Sequence, residues 1–159
     1  MPIRPATADD AELLHALIVD LAVYEREPDA VEATPDDLRA QLSQARPPFE
    51  AVIAEHEGVA VGFALFFHNY STWRGRHGLY LEDLYVRPEA RGQGHGRALL
   101  AHLAGLALDR GCARLEWSVL DWNTPAVEFY EALGAVPMTG WTTFRLTRSP
   151  LARLASERG

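Results

Sequence analysis

Between Leu79 and Gly96 the chain reads LYLEDLYVRPEARGQGHG, and no other stretch limits the possible folds as much. An apolar strand runs up to a proline and gives way to a glycine-rich loop. A helix then begins near His95, with Leu99, Leu100, Leu103 and Leu106 directed inward. Strand, glycine loop and helix N-terminus together form an anion site, because unpaired backbone N–H groups and the positive end of the helix dipole converge there. Two acids, Glu82 and Asp83, interrupt the strand itself. Carboxylates inside an apolar strand are costly unless they face a cleft or have partners.

The loop chemistry narrows the ligand. A Walker loop closes with Lys-Ser/Thr, whereas Gly96 is followed by Arg97 and Ala98. A dinucleotide fingerprint spaces its glycines G-x-G-x-x-G, whereas Gly92, Gly94 and Gly96 alternate. The pattern Arg91-x-x-Gly94-x-Gly96 resembles instead the R/Q-x-x-G-x-G/A loop by which the GCN5-related N-acetyltransferases cradle the pyrophosphate of acetyl-coenzyme A.

Composition agrees with that resemblance without demanding it. A chain of 159 residues that is 48% hydrophobic supports one compact domain, here taken as 1–159, with a sizeable core. The longest apolar run, VAVGFALFF at 59–67, is too short to span a bilayer. MPIRPATADD lacks a signal-peptide apolar region, so the cytoplasm is the expected location. Cys112 is the only cysteine, which leaves no internal disulfide and no cysteine cluster for a metal, and it reads as a buried bystander. The net charge of −7 speaks against nucleic acid as a partner and mildly favours a cationic one. All 15 basic residues are arginine, so the chain offers no lysine side chain to an acetyl donor.

Elements alternate along the chain without a linker or repeat. Ile3 and Arg4 open a short strand. Thr7 caps a helix whose buried stripe is Leu13, Leu14, Leu17, Ile18 and Leu21. Thr34-Pro35-Asp36-Asp37 starts a second helix, with proline pre-organised for its first position. Strands are expected at about 49–56 and 59–69, joined by Glu57-Gly58, and at about 78–87. The helix after the glycine loop should reach about 110. A strand at 113–120, a helix from Asn123-Thr124-Pro125 to Gly134, and a last strand at about 139–147 complete the reading. The order describes an α/β domain: a mixed sheet with helices on both faces.

The resemblance extends over nearly the whole chain. RPAT near the start, VYE in the first helix region, LYLEDLYV, RGQGHG, WNTPAVEFYEALGA and a late GW are similar, in the same order, to the diamine (spermidine/spermine) acetyltransferase branch of that superfamily. Membership implies a mostly antiparallel central sheet of the acyl-CoA N-acyltransferase type. It implies acetyl-coenzyme A as co-substrate, a small primary amine as acceptor, and a homodimer with shared substrate pockets. It further implies that the run Arg91, Gly92, Gln93, Gly94, His95, Gly96 and Arg97 holds the pyrophosphate. A bulge beside Glu82 and Asp83 would leave Leu84, Tyr85 and Val86 to contact the pantetheine arm through their main chain, and Asn123 and Ala126 would line the same path.

The reaction sets its own demands. An alkyl amine with a pKa of about 10.4 is neutral in only about one molecule in 2,500 at pH 7, a cost of roughly 4.6 kcal/mol. A site that binds the cation and removes a proton near the thioester therefore has an advantage. Glu82 is the candidate base, directly or through water; taken without the resemblance it is equally an edge residue or an ion-pair partner. The leaving thiolate benefits from a proton donor, a role the resemblance gives to Tyr130. By itself, a tyrosine beside Phe129 and Leu133 is more often a core residue, and Asn123 an ordinary helix cap.

For the amine, Tyr24 and Glu25 match the family's Tyr-Glu pair, Trp141 its late tryptophan, and Asp83 supplies a further carboxylate. An acidic, aromatic-lined pocket suits a polycation through ion pairing and cation–π contact. Each also has a plain structural role: helix-end aromatic, surface acid, core tryptophan. Thr139 stands where the polyamine enzymes have an acid before Gly-Trp, which shifts expectation toward a short diamine or a lysine-like amino acid. Direct attack in a ternary complex fits a chain with one thiol far from the motifs. The alternatives are a protein or peptide acetyltransferase and an acetyl-coenzyme A-binding module without turnover. The six histidines read as surface or packing residues, and no metal site is expected.

Overall fold

The computed structural model describes residues 2–159, which form two compact units, one extending to Leu120 and one covering Asp121–Gly159. In the first unit, β1 (Ile3–Pro5), β2 (Glu50–His56), β3 (Val59–Ser71), β4 (Arg76–Val86) and β5 (Leu115–Trp117) make one sheet in sequential order. The pairs β1–β2, β2–β3 and β3–β4 are antiparallel, and β5 joins β4 in parallel. A parallel neighbour needs a crossover, and α3 (His95–Asp109) supplies it. The β2–β3 turn is as expected: Glu57 and Gly58 both have positive φ (50° and 79°), the geometry of a two-residue hairpin whose twist matches its strands.

Helices α1 (Ala11–Tyr24) and α2 (Pro35–Leu42) cover one sheet face. Ala11, Leu14, Leu17 and Leu21 recur at helical spacing and pack with Leu38 against Ala51, Phe63, Leu65 and Tyr85. Leu13 and Ile18 join this cluster from its margin. Residues of opposite parity, such as Val52, Ala64 and Phe66, form the other buried face, and Leu99, Leu100 and Leu103 of α3 are buried with them. A fully buried leucine of this kind contributes roughly 1.5–3 kcal/mol. Leu106, expected with that stripe, is only half-buried.

Local polar chemistry pins the helix starts. Thr7 is followed by a 3₁₀ turn (Ala8–Asp10) before α1 rather than by the helix itself. The Asp10 carboxylate accepts from the Thr7 N–H at 2.8 Å and from Arg4 at 2.8 and 2.9 Å. At α2, Thr34 Oγ1 accepts from the Asp37 N–H at 3.2 Å while the Asp37 carboxylate accepts from the Thr34 N–H at 2.9 Å, a reciprocal capping box with Pro35 at the first turn.

The second unit holds α4 (Thr124–Ala132) and α5 (Arg148–Ala155). Asn123 occupies the N-cap position of α4, and Gly134 (φ 92°) follows its end. Two strand expectations are corrected here. The strand expected at 113–120 pairs only over Leu115–Trp117. The strand expected at 139–147 does not form: Trp141 is 72% and Phe144 91% exposed, and no ladder includes them. Alternation makes a strand only where a partner strand receives its backbone bonds. Helix α5, with Thr147 as its N-cap, was not foreseen.

Candidate functional site

The register between β3 and β4 breaks at one point. Asp83 lies opposite Leu65, and Leu81 lies opposite Phe66, so Glu82 is an extra residue without a partner on β3. This is the bulge expected beside the two acids. Farther along, Gly62 lies opposite Val86, where a Cβ would come within 2.5 Å of the Tyr85 carbonyl oxygen. Only glycine permits that close approach. On the other side of β4, the ladder to β5 ends at Leu81–Trp117. The backbone from Glu82 to Val86, including Leu84, Tyr85 and Val86, therefore continues past its β5 neighbour while remaining held by β3.

Three carboxylates sense one another at this bulge. Asp83 is half-buried, and burial, followed by repulsion from Glu82 and Glu25, pushes its pKa from 3.8 up to about 6. Glu25, the C-cap residue of α1, is half-buried too; burial and then the Glu82 charge raise its pKa. Glu82 is the exposed member. Neither shift has a cationic partner among its causes. Such a cluster has surplus negative charge that a ligand cation would relieve.

Next to it, Arg91 ties α1 to the loop. Its Nε donates to the Val86 carbonyl at 2.9 Å, and its guanidinium lies 4.7 Å from the Tyr24 ring centroid and 5.6 Å from that of Tyr85. The loop then turns through Gly92 (φ 76°) and Gly94 (φ 87°), conformations that side chains disfavour. Gly94 is the N-cap of α3 and contributes no side-chain cap, and the first turn carries no acid. The opening N–H groups of a 15-residue helix are thus left for an external acceptor. A Cβ placed on Gly92 would meet nothing within 4 Å, so backbone there is accessible as well as strained. Gln93 and Arg97 are exposed beside it. These features fit a pyrophosphate.

Of the surface and packing alternatives, His95 takes the packing one. It is 1% exposed, both its ring nitrogens are buried without a hydrogen-bond partner among the described residues, and its ring meets that of His56 edge-on at 5.5 Å. Only its backbone is on offer to an anion. In the second unit, Tyr130 and Phe129 place their rings 5.6 Å apart on α4, and Asn123, Ala126 and Tyr130 are all half-buried. Trp141 lies outside any core, contrary to its plain structural reading. The Arg91 stacking between two tyrosines was the feature sequence reasoning missed. Its only signal was an arginine at the loop entrance, with one tyrosine six residues before it and another far away at the end of α1.

The chain is similar to known proteins along nearly its whole length. The acetyltransferase (GNAT) family matches residues 14–135. The thialysine N-epsilon-acetyltransferase of Bos taurus is 39% identical over 166 aligned positions, covering 98% of this chain and 97% of that protein. The L-ornithine N5-acetyltransferase NATA1 of Arabidopsis thaliana is 31% identical, covering 94% of this chain and 85% of its own. Among solved structures, an integron cassette protein from V. cholerae superposes with a TM-score of 0.80 at 26% identity, covering 97% and 96% of the two chains. The match over most of the chain and the similarity to relatives along nearly their whole length lead to one conclusion: this chain belongs to the acetyltransferase (GNAT) family and is an acetyl-CoA-dependent N-acetyltransferase.

Proposed function

We propose that the enzyme acetylates the side-chain amine of a lysine- or ornithine-like amino acid or of a short diamine. The observation that carries this reading is the cluster of Glu25, Glu82 and Asp83, whose mutual repulsion leaves room for a cation. Relatives named for thialysine and L-ornithine support the same acceptor class. Tyr24, beside Glu25, adds an aromatic face, and Trp141 is assigned to the amine by resemblance. Thr139 in place of an acid argues against a long polyamine.

In this reading the ammonium binds at the carboxylates, and Glu82 takes its proton, directly or through water. The neutral nitrogen attacks the thioester carbonyl, the tetrahedral intermediate loses its second nitrogen proton to solvent, and its C–S bond breaks to release the coenzyme A thiolate. Tyr130 donates a proton to that sulfur. The main chain of Leu84, Tyr85 and Val86 and the loop from Arg91 to Arg97 hold the acetyl donor, and Asn123 and Ala126 are assigned to it by resemblance alone. No metal enters this reading of the acetyl transfer. The family match crosses from the first unit into the second, which supports treating residues 1–159 as one functional domain.

The setting that accompanies this reading is a cytoplasmic homodimer acting on a small molecule, without nucleic acid or membrane. Among the described residues no helix is long and apolar enough to cross a membrane, and the net charge of −7 disfavours a polyanion. A thiol-release assay comparing thialysine, ornithine, lysine, putrescine, spermidine, spermine and a lysine-containing peptide is the deciding experiment. The expected order places the amino acids and putrescine ahead of spermine. Preference for the peptide would replace the small-amine assignment with a protein-modifying one.

A further inference from the structure

His68, His77 and Cys112 share no sequence motif, yet the fold gathers them. In the β3–β4 ladder His77 lies opposite Tyr70, which makes His68 its diagonal neighbour on the same face. The two imidazoles meet edge-on, 4.8 Å between centroids. Cys112 arrives from the end of α3: its N–H donates to the Ala107 carbonyl at 2.9 Å, and the N–H of Ala113 donates to the His77 carbonyl at 2.9 Å. The thiol is therefore held beside His77, and Cys112 is 8% exposed. One donor atom from each of the three lies within 4.8 Å of the other two.

We propose that His68, His77 and Cys112 form a three-ligand site for a divalent ion of the zinc class, with the fourth position open to water. Two imidazoles and a thiolate are the donor types that such a borderline-soft ion selects. Bond lengths of about 2.0–2.3 Å place tetrahedral donors roughly 3.3–3.8 Å apart. The observed spread therefore needs a contraction of about 1 Å. His68 is exposed and can turn to provide it. Arg110 is the opposing group, its Nη1 lying 3.3 Å from His68 Nε2. It is already neutralised by two hydrogen bonds to Glu50, at 2.6 and 2.8 Å, and the longer histidine contact is the one an ion would displace.

The site is separate from acetyl transfer. Glu82 lies five positions beyond His77 along β4, a span of about 16 Å. An ion there would clip the β3–β4 hairpin to the end of α3, so its contribution is to stability through ligand linkage.

Cobalt(II) titration of the chelator-treated full-length chain tests this directly. The expected result is one cobalt per chain, with tetrahedral ligand-field bands and a thiolate charge-transfer band, both abolished by excess zinc. Cys112→Ser should remove the charge-transfer band. His77→Gln should weaken binding by more than the roughly 10- to 100-fold typical of losing an outer-shell partner. A second measurement needs no variant: saturating zinc should slow alkylation of Cys112 in the wild-type chain. Cobalt bound only at the Glu25, Glu82 and Asp83 carboxylates would show no thiolate band, and that outcome overturns the proposal. So does alkylation at the same rate with and without zinc.

Discussion

Beyond Leu81 the chain builds two charge environments of opposite sign by different means. In the proposed function the loop from Arg91 to Gly96 would hold an anion largely with backbone: the positive φ of Gly92 and Gly94, and the uncapped start of α3. In the same proposal the bulge would hold a cation with side chains, Glu82 and Asp83 from β4 and Glu25 from the end of α1. Backbone donors fixed by a turn are already oriented, so the loop needs little rearrangement to hold its ligand. The carboxylates repel one another, so the bulge is at its least stable when empty. Arg91 lies between the two, stacked over Tyr24 of α1 while bonded to Val86.

The most severe break in this contrast should come from Glu82. Glu82→Gln is expected to lower turnover at neutral pH by about 10²–10⁴-fold, with partial recovery as the pH rises and more amine is neutral. Tyr130→Phe should slow the reaction as well, with little change in amine binding. Stopped assays across pH, with both substrates saturating, measure this. If the pH–rate profiles of both variants overlay the wild type, the two residues are structural and the acid–base assignment fails.

On the anion side, Gly94→Asp combines left-handed backbone strain of about 1–2 kcal/mol with like-charge repulsion of similar size. Together these amount to about 100-fold in acetyl-CoA affinity. Isothermal titration on the folded variant reads it directly. Gly92→Ala sharpens the point, because its Cβ would meet nothing within 4 Å and strain alone acts there. Its affinity loss should be about tenfold, and an equal loss in both variants would mean that charge plays no part.

Glu25→Gln probes the cation side with the scaffold intact. Losing one charged contact of about 1.5–3 kcal/mol should raise KM for a dibasic amine by about 10- to 100-fold. A monoamine of similar length should be nearly unaffected. An equal rise for both would place Glu25 at the reacting amine instead of the distal one.

These two regions were also unequally legible. The loop could be read from Arg91, Gly94 and Gly96 because backbone geometry depends on local residues, and its helix begins at His95 as expected. The bulge came only through resemblance, since neither acid signals a register break and Glu25 is remote in sequence. The same physics accounts for the second unit. Thr139 to Thr147 alternates like a strand but has no ladder, and nothing local reports whether a partner exists. His68, His77 and Cys112 show the converse, because three residues that are bland in sequence meet when β3, β4 and α3 converge.

The smallest effect concerns Asp83, and its sign is its value. A carboxyl whose folded pKa rises from 3.8 to about 6 keeps its proton longer in the folded state than in the unfolded chain. Stability is therefore lost as pH climbs from about 4 to 6 and stays lost above that range. Asp83→Asn removes the penalty. Because the group is only half-buried, screening reduces the gain to about 1 kcal/mol, or a Tm rise of roughly 2–4 °C at pH 7.5. The difference should shrink steadily below pH 6 and nearly vanish at pH 4. Thermal melts of wild type and variant across that range supply the measurement. A saturating diamine should narrow the gap at pH 7.5, because its ammonium offsets in the wild type the repulsion that asparagine abolishes. A gap that persists at pH 4 would assign the effect to packing, and a lower Tm at pH 7.5 would mean that the three carboxylates do not destabilise the empty bulge.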